Sequence, residues 1–286
     1  QKELEECKNH ERQILRAKGL QPSHFKVSEC PLTETDFIHY VQIKKTKQTP
    51  DNILLMAHGY MGSNIGFFKF YQALQNDFHI FSIDLPGQGL SSSTEETPKS
   101  ADAWVDYFTS NVKRFVDKMG IKRFSICGHS MGAFVLTHFA SRFPEMINEV
   151  YLLSPGGVNF ENPEFEEKKK NLVKGINCMK RGVMQSMANS IFKDKKAPLS
   201  LWYLTLFRGS FAKMIYGGKR LGLDKEEQKF FIPLYQSIYK SKPSSDKCLG
   251  YIFKEGPMSD RPLMKVFEKL HDKKRIVIYY GRRDWM

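Results

Sequence analysis

No apolar run in this 286-residue chain approaches the roughly 20 residues a membrane-spanning helix requires, so no such span is expected. An apolar leader of secretory type is also missing, and the chain opens on Gln1 instead of Met, as expected of a piece of a longer protein. Cysteine is scarce: Cys7, Cys30, Cys127, Cys178 and Cys248 are odd in number and contain no C-x-x-C spacing. That argues against a disulfide framework or a zinc site, and it favours a reducing compartment. Nothing in the sequence points to a metal or nucleotide cofactor. Acidic residues are outnumbered, 31 against 44 basic ones, and the stretch from Phe160 to Lys254 holds 19 of the basic residues and only 9 of the acidic. A surface of this kind attracts anionic phospholipid headgroups by about 1 kcal/mol per basic residue near the membrane. Nucleic acid would be attracted as well, but no motif of a nucleic-acid-binding fold is present. A solvated basic face without any partner is the plainer alternative.

What the chain does contain is the composition of a globular protein, 41% hydrophobic and 13% aromatic. Its centre is Arg123-Phe-Ser-Ile-Cys-Gly-His-Ser-Met-Gly132. A short apolar run predicts a buried strand, residues 133–143 predict a helix stopped by Pro144, and Gly128-His129-Ser130-Met131-Gly132 between them fits G-x-S-x-G. On so sharp a strand-to-helix turn the backbones come too close for side chains at the flanking positions, hence the glycines. The Ser130 hydroxyl is left exposed near the N–H of Met131 and the positive end of the helix.

Upstream, Phe37–Ile43 alternates as a strand should, and 52–57 is a continuous apolar run suited to a strand buried on both faces. That run ends at His58-Gly59-Tyr60-Met61-Gly62, a loop whose glycines allow close approach to a carbonyl and whose Tyr60 N–H, or else that of Met61, is placed to bind an oxyanion. His58, at the strand end before glycine, suits a structural role in the loop. Residues 78–83 form the next strand, leading into Asp84-Leu-Pro-Gly-Gln-Gly-Leu-Ser91 at the carboxyl edge. His79 and Asp84 have H-x-x-x-x-D spacing, but alternation along a strand turns them to opposite faces, so they cannot act together. Ser100 caps a helix with apolar positions at threes and fours up to Gly120, and 149–153 is one more strand. Alternating strands and helices imply a mostly parallel sheet covered on both faces.

From about residue 160 to 270 the alternation stops. Helical stretches are expected at 168–187 and 225–239, and an aromatic patch at 201–207 includes Trp202, Tyr203 and Phe207. This is the pattern of a helical cap inserted over the turn at Ser130. Arg275–Tyr280 resumes the sheet, and Asp284 follows at the position expected for the acid that orients an imidazole in the chain order Ser, Asp, His. All eight histidines precede Asp284, so the expected base is not among them. The expected organisation is therefore an N-terminal helical extension (1–36), the first part of the core (37–159), the cap (160–270) and the acid-bearing strand (271–286). A final strand and helix are missing from this arrangement.

On His58-Gly59, the 84–91 loop, the G-x-S-x-G turn, Arg261-Pro-Leu-Met264 and Tyr280-Gly-Arg-Arg-Asp-Trp285, the chain resembles one subfamily of α/β hydrolases. That subfamily contains the N-acylphosphatidylethanolamine lipase and lysophospholipase, the lipid-droplet co-activator of triglyceride lipase, and the mitochondrial cardiolipin-specific deacylase. The co-activator has lost the serine, whereas Ser130 is present here. The resemblance implies an α/β-hydrolase fold and a serine hydrolase for phospholipid-like esters or amides, with Ser130 and Asp284 catalytic and Met131 and Tyr60 as oxyanion donors. It also implies an intracellular protein at the membrane periphery, on a cytoplasmic face, a lipid droplet or a mitochondrion, with a protein partner possible. A soluble esterase for small substrates and a non-catalytic lipid-binding subunit are the alternatives; an epoxide hydrolase or dehalogenase would need a carboxylate where Ser130 stands.

Overall fold

Seven strands make one sheet in the computed structural model, which describes residues 2–47, 52–92, 97–158, 223–240, 244–253 and 258–282. They are β1 (Phe25–Pro31), β2 (Phe37–Ile43), β3 (Ile53–Ala57), β4 (His79–Ile83), β5 (Phe124–His129), β6 (Ile147–Leu153) and β7 (Arg275–Tyr279), in the spatial order β1-β2-β4-β3-β5-β6-β7. Only β2 runs against its neighbours; β4, β3, β5, β6 and β7 are mutually parallel. The described α-helices are α1 (Lys2–Ala17), α2 (Phe68–Leu74), α3 (Ala101–Lys118), α4 (Met131–Arg142), α5 (Lys225–Lys240), α6 (Cys248–Ile252) and α7 (Leu263–Leu270).

Strand β3, at the centre of the sheet, is apolar throughout because both of its faces are covered. In β3, Leu55 and Ala57 point into a layer with Trp104, Phe108 and Phe115 of α3 and Phe134 and Phe139 of α4. Leu54 and Met56 point the other way, into a layer built by α1, α2 and α5. Helix α3 begins where Ser100 Oγ accepts a bond from the Ala103 N–H at 3.1 Å, one of the orphan donors of the first turn. It ends before Gly120, whose φ of 69° a side chain would resist.

The structure departs from expectation in two places. The segment 1–36 holds more than a helix, because Phe25–Pro31 pairs along its whole length with β2 and forms one edge of the sheet. Its inward residues are few, Val27 and Cys30, and Pro31 at its end is tolerable only on an edge strand, so alternation gave little warning. The expected cap is also too long at its carboxyl end. Helices α6 and α7 bury Cys248, Ile252, Leu263 and Leu270 in the same layer as α3 and α4, and α7 leads into β7, which is parallel to β6. The stretches 168–187 and 201–207, with Trp202, Tyr203 and Phe207, lie outside the described residues. Among the described strands β7 is outermost on its side, and Tyr279 is 54% exposed there.

Candidate active site

Ser130 stands between β5 and α4 with φ 51° and ψ −114°, a conformation that costs a residue with a side chain about 1–3 kcal/mol. Three backbone bonds hold it there. The Ser130 N–H donates to Leu153 O at 3.0 Å, and Ser130 O accepts from Gly156 at 3.1 Å and from Phe134 at 3.2 Å. The flanking glycines are required by contact. A Cβ on Gly132 would lie 2.2 Å from Ala57 O, and one on Gly128 would lie 2.4 Å from Ala133 Cα.

The loop after β3 comes up against this turn. A Cβ on Gly59 would meet His129 Nδ1 at 2.8 Å and Ser130 Cβ at 3.0 Å, so Tyr60 begins directly beside Ser130. Gly59 to Gly62 is a β-turn closed by the Gly62 N–H on Gly59 O at 2.9 Å, with Met61 at φ 60° in its third position. Positive φ at that position alone is the type II arrangement. Met131 opens α4 on the other side and is buried. The structure therefore brings Ser130, Met131 and Tyr60 together.

His58 is fully engaged beneath the turn. Its Nδ1–H donates to Gly59 O at 2.7 Å and its Nε2 accepts from the Leu85 N–H at 3.0 Å. Burial pushes its pKa down to about 4, so it is a neutral structural imidazole with neither nitrogen turned to the serine. His79 stacks on Phe81 and bonds Gln42, while Asp84 is buried and accepts from Asn64 and Leu90, so the H-x-x-x-x-D pair is indeed split. Burial pushes the Asp84 carboxyl up to about 6. A Cβ on Gly89 would fall 2.3 Å from that carboxylate, which explains the second glycine of the 84–91 loop.

Asp284 lies outside the described residues. The strand that precedes it ends level with the serine turn, since His129 pairs with Leu153 and Leu153 with Tyr279 in one row across the sheet. The Ser154 N–H donates to Tyr279 O at 2.7 Å and ties the two loops together at this edge.

Beside the turn opens a cleft of about 590 Å³, within the usual range for small-molecule sites. Gly59, Tyr60 and His129 line it next to the turn, together with the aromatic residues Phe67, Phe68, Phe231, Tyr235 and Tyr239. Lys69 and Phe70 stand at its rim, Phe70 being 54% exposed. Such walls suit an acyl chain better than a polar substrate. Two residues the sequence did not flag also belong here: Asp246 bonds the Tyr60 hydroxyl, and Tyr239 bonds the Met61 carbonyl. Asp246 lies 186 positions from Tyr60, beyond the reach of any local pattern. Among the described residues no cluster of side chains fit to hold a metal ion is found.

Residues 52–194, half of the chain, match the model of a family described as alpha/beta hydrolase fold. A 1-acylglycerol-3-phosphate O-acyltransferase of Arabidopsis thaliana is 27% identical over 88% of this chain and 60% of its own length. A serine hydrolase-like protein of Danio rerio is 36% identical over 43% of this chain and 36% of that protein. The crystal structure of a bacterial membrane phospholipase A superposes with a TM-score of 0.57 at 17% identity, covering 96% of this chain and 74% of the other, a likeness of fold. The chain spans about 60% of the length of the plant acyltransferase-named relatives it matches.

Proposed function

The chain belongs to the α/β-hydrolase family, and from that premise we propose that it transfers acyl groups from phospholipid-like esters through an acyl-enzyme on Ser130. The observation that carries this reading is the strained serine turn with the Gly59–Gly62 turn packed against it, beside an aromatic cleft lined by their residues Gly59, Tyr60 and His129. Ser130 Oγ attacks the ester carbonyl as its proton passes to an imidazole, and the resulting oxyanion is met by the N–H groups of Met131 and Tyr60. Asp284 orients that imidazole, which by the order Ser, Asp, His follows it in the chain. Collapse of the tetrahedral species breaks the ester C–O bond, and the imidazolium returns its proton to the departing alcohol. Water, or the hydroxyl of a lysolipid, then attacks the acyl-serine and regenerates the free hydroxyl.

The lysolipid acceptor is favoured by the name of the Arabidopsis relative, and the lipid donor by the apolar wall of the cleft. Phe70 and Lys69 at the rim suit contact with an anionic bilayer, where an aromatic ring inserts and an ammonium meets headgroups. The Arg261–Met264 segment favours the lysophospholipase-containing subfamily, and Ser130 favours an active member of it over the co-activator that has lost the serine. The test uses the full-length gene product with phospholipid vesicles carrying a labelled acyl chain, with and without lysolipid. Release or transfer of the label is expected, with none from Ser130→Ala; equal turnover by that variant would refute the proposal.

A further inference from the structure

The turn that presents Tyr60 is gripped by two side chains from far along the chain. The Tyr60 hydroxyl donates to Asp246 Oδ1, and the Tyr239 hydroxyl donates to Met61 O at 3.0 Å. Tyr239 is on α5, and Asp246 sits in the short 3-10 turn Ser244–Lys247 that follows it. Both are buried, and Asp246 is 4% exposed. The second oxygen of Asp246 has no hydrogen-bond partner among the described residues. Burial accordingly pushes this carboxyl up to about 7, against the opposing effect of the Tyr60 bond.

The contacts matter because the turn is not the conformation its residues prefer. Met61 holds φ 60°, a value that glycine adopts freely and a side chain resists. Rotating the Tyr60–Met61 peptide would convert the turn to type I and remove the positive φ. It would carry Tyr60 O and the Met61 N–H with it, while Met61 O, in the next peptide, stays on Tyr239. Tyr239 thus anchors the turn on one side of that peptide through Met61 O, and Asp246 anchors it on the other through the ring of Tyr60, which follows the Gly59 packed on Ser130.

Resting on the reading of Ser130 as nucleophile, we propose that Asp246 and Tyr239 are positioning residues: together they hold the Gly59–Gly62 turn in the form that directs its N–H at the oxyanion. Neither touches the substrate carbonyl; they act through Tyr60 and Met61. A Ser130 that reacts but lacks an aligned donor should turn over slowly while binding substrate normally.

The experiment measures kcat and KM on a lipid ester with full-length protein, expressing the rate per serine titrated by a fluorophosphonate so that unfolded protein is not counted. Loss of one oxyanion donor costs about 10²–10³ in rate, so misplacing it in Asp246→Ala should cost about 10–100-fold in kcat with KM little changed. Asp246→Asn keeps a carbonyl oxygen for the Tyr60 hydroxyl and should recover most of that loss. Tyr60→Phe should reproduce the Asp246→Ala loss, and the double variant should be no slower than either, since both break one bond. Should Asp246→Ala fail to fold, Tyr60→Phe and Tyr239→Phe, each lacking one oxygen, give the same kcat readout. Parent-like kcat per titrated serine in these variants, or losses that multiply in the double variant, would overturn the positioning role. Undiminished turnover by Ser130→Ala is a different result: it removes the nucleophile, and the positioning role falls with it.

Discussion

Replacing Gly132 with alanine puts the serine turn under the most direct steric load. The added carbon would lie 2.2 Å from Ala57 O and 2.4 Å from His58 O, both backbone atoms that cannot swing aside. Relief requires α4 and the end of β3 to separate, which at the usual cost of overpacking is about 1–3 kcal/mol. For a domain of this size each kcal/mol lowers Tm by about 2–4 °C, so a fall of about 2–12 °C is expected. The larger effect is on rate. His58 leads directly into Gly59, which touches Ser130, so the separation moves the Tyr60 N–H from its place, and a misplacement of about 1 Å costs on the order of 10²-fold. Gly120→Ala is the control: its φ of 69° also resists a side chain, but a Cβ there meets nothing within 4 Å, so Tm should fall by a few degrees with kcat unchanged. The assay is differential scanning fluorimetry beside turnover of a lipid ester. Parent-like rate and Tm in Gly132→Ala would refute the close approach on which the site depends.

Glu11 of α1 and His39 of β2 form a fully buried pair at 2.7 Å, with Glu29 3.9 Å from the other ring nitrogen and Asn64 bonded to the second Glu11 oxygen. Burial works against the imidazolium, but Glu11 overrides it and holds His39 at about 10, above its ordinary 6.5. The stability contributed by the raised pKa of His39 is therefore fully present as pH falls to about 6.5 and is lost as pH rises towards 10. Glu11→Gln should lower stability at pH 6 by about 3–5 kcal/mol and flatten that alkaline decline, as read by urea denaturation across pH. Gly66→Leu should fill the cleft, since among the described residues a Cβ there meets only Tyr235 Oη at 3.9 Å. The expected result is a KM raised about 10-fold or more for long-chain esters, with butyrate esters and Tm unaffected, because a few methylenes in an apolar pocket are worth about 1–3 kcal/mol.

The serine turn was legible because three local signals coincide within twenty residues: an apolar run, paired glycines around Ser130, and a helical period stopped by Pro144. Each reflects a steric demand that the glycine contacts display. Strand β1 was not legible, because Ser28-Glu29 breaks the alternation of Phe25–Pro31 and the segment owes its conformation to pairing with β2. Glu11 lies in the middle of the stripe Cys7, Ile14, Leu15 and is buried with it, a charge on an apolar face that makes sense only once His39 stands opposite. The separation of α6 and α7 from the cap was likewise hidden, since amphipathic helices look alike whether they cover a cleft or a sheet. The clasp on Tyr60 depends on chain folding alone, and no spacing rule joins residues 60, 239 and 246.

The central claim is that Ser130 is a nucleophile made reactive by its place on the turn. Treating the full-length protein with a fluorophosphonate and locating the adduct by peptide mass spectrometry tests it most directly. A single stoichiometric adduct on Ser130, absent from protein unfolded in urea before exposure, is the predicted result. Modification at another hydroxyl, or none at all in folded protein, would contradict it.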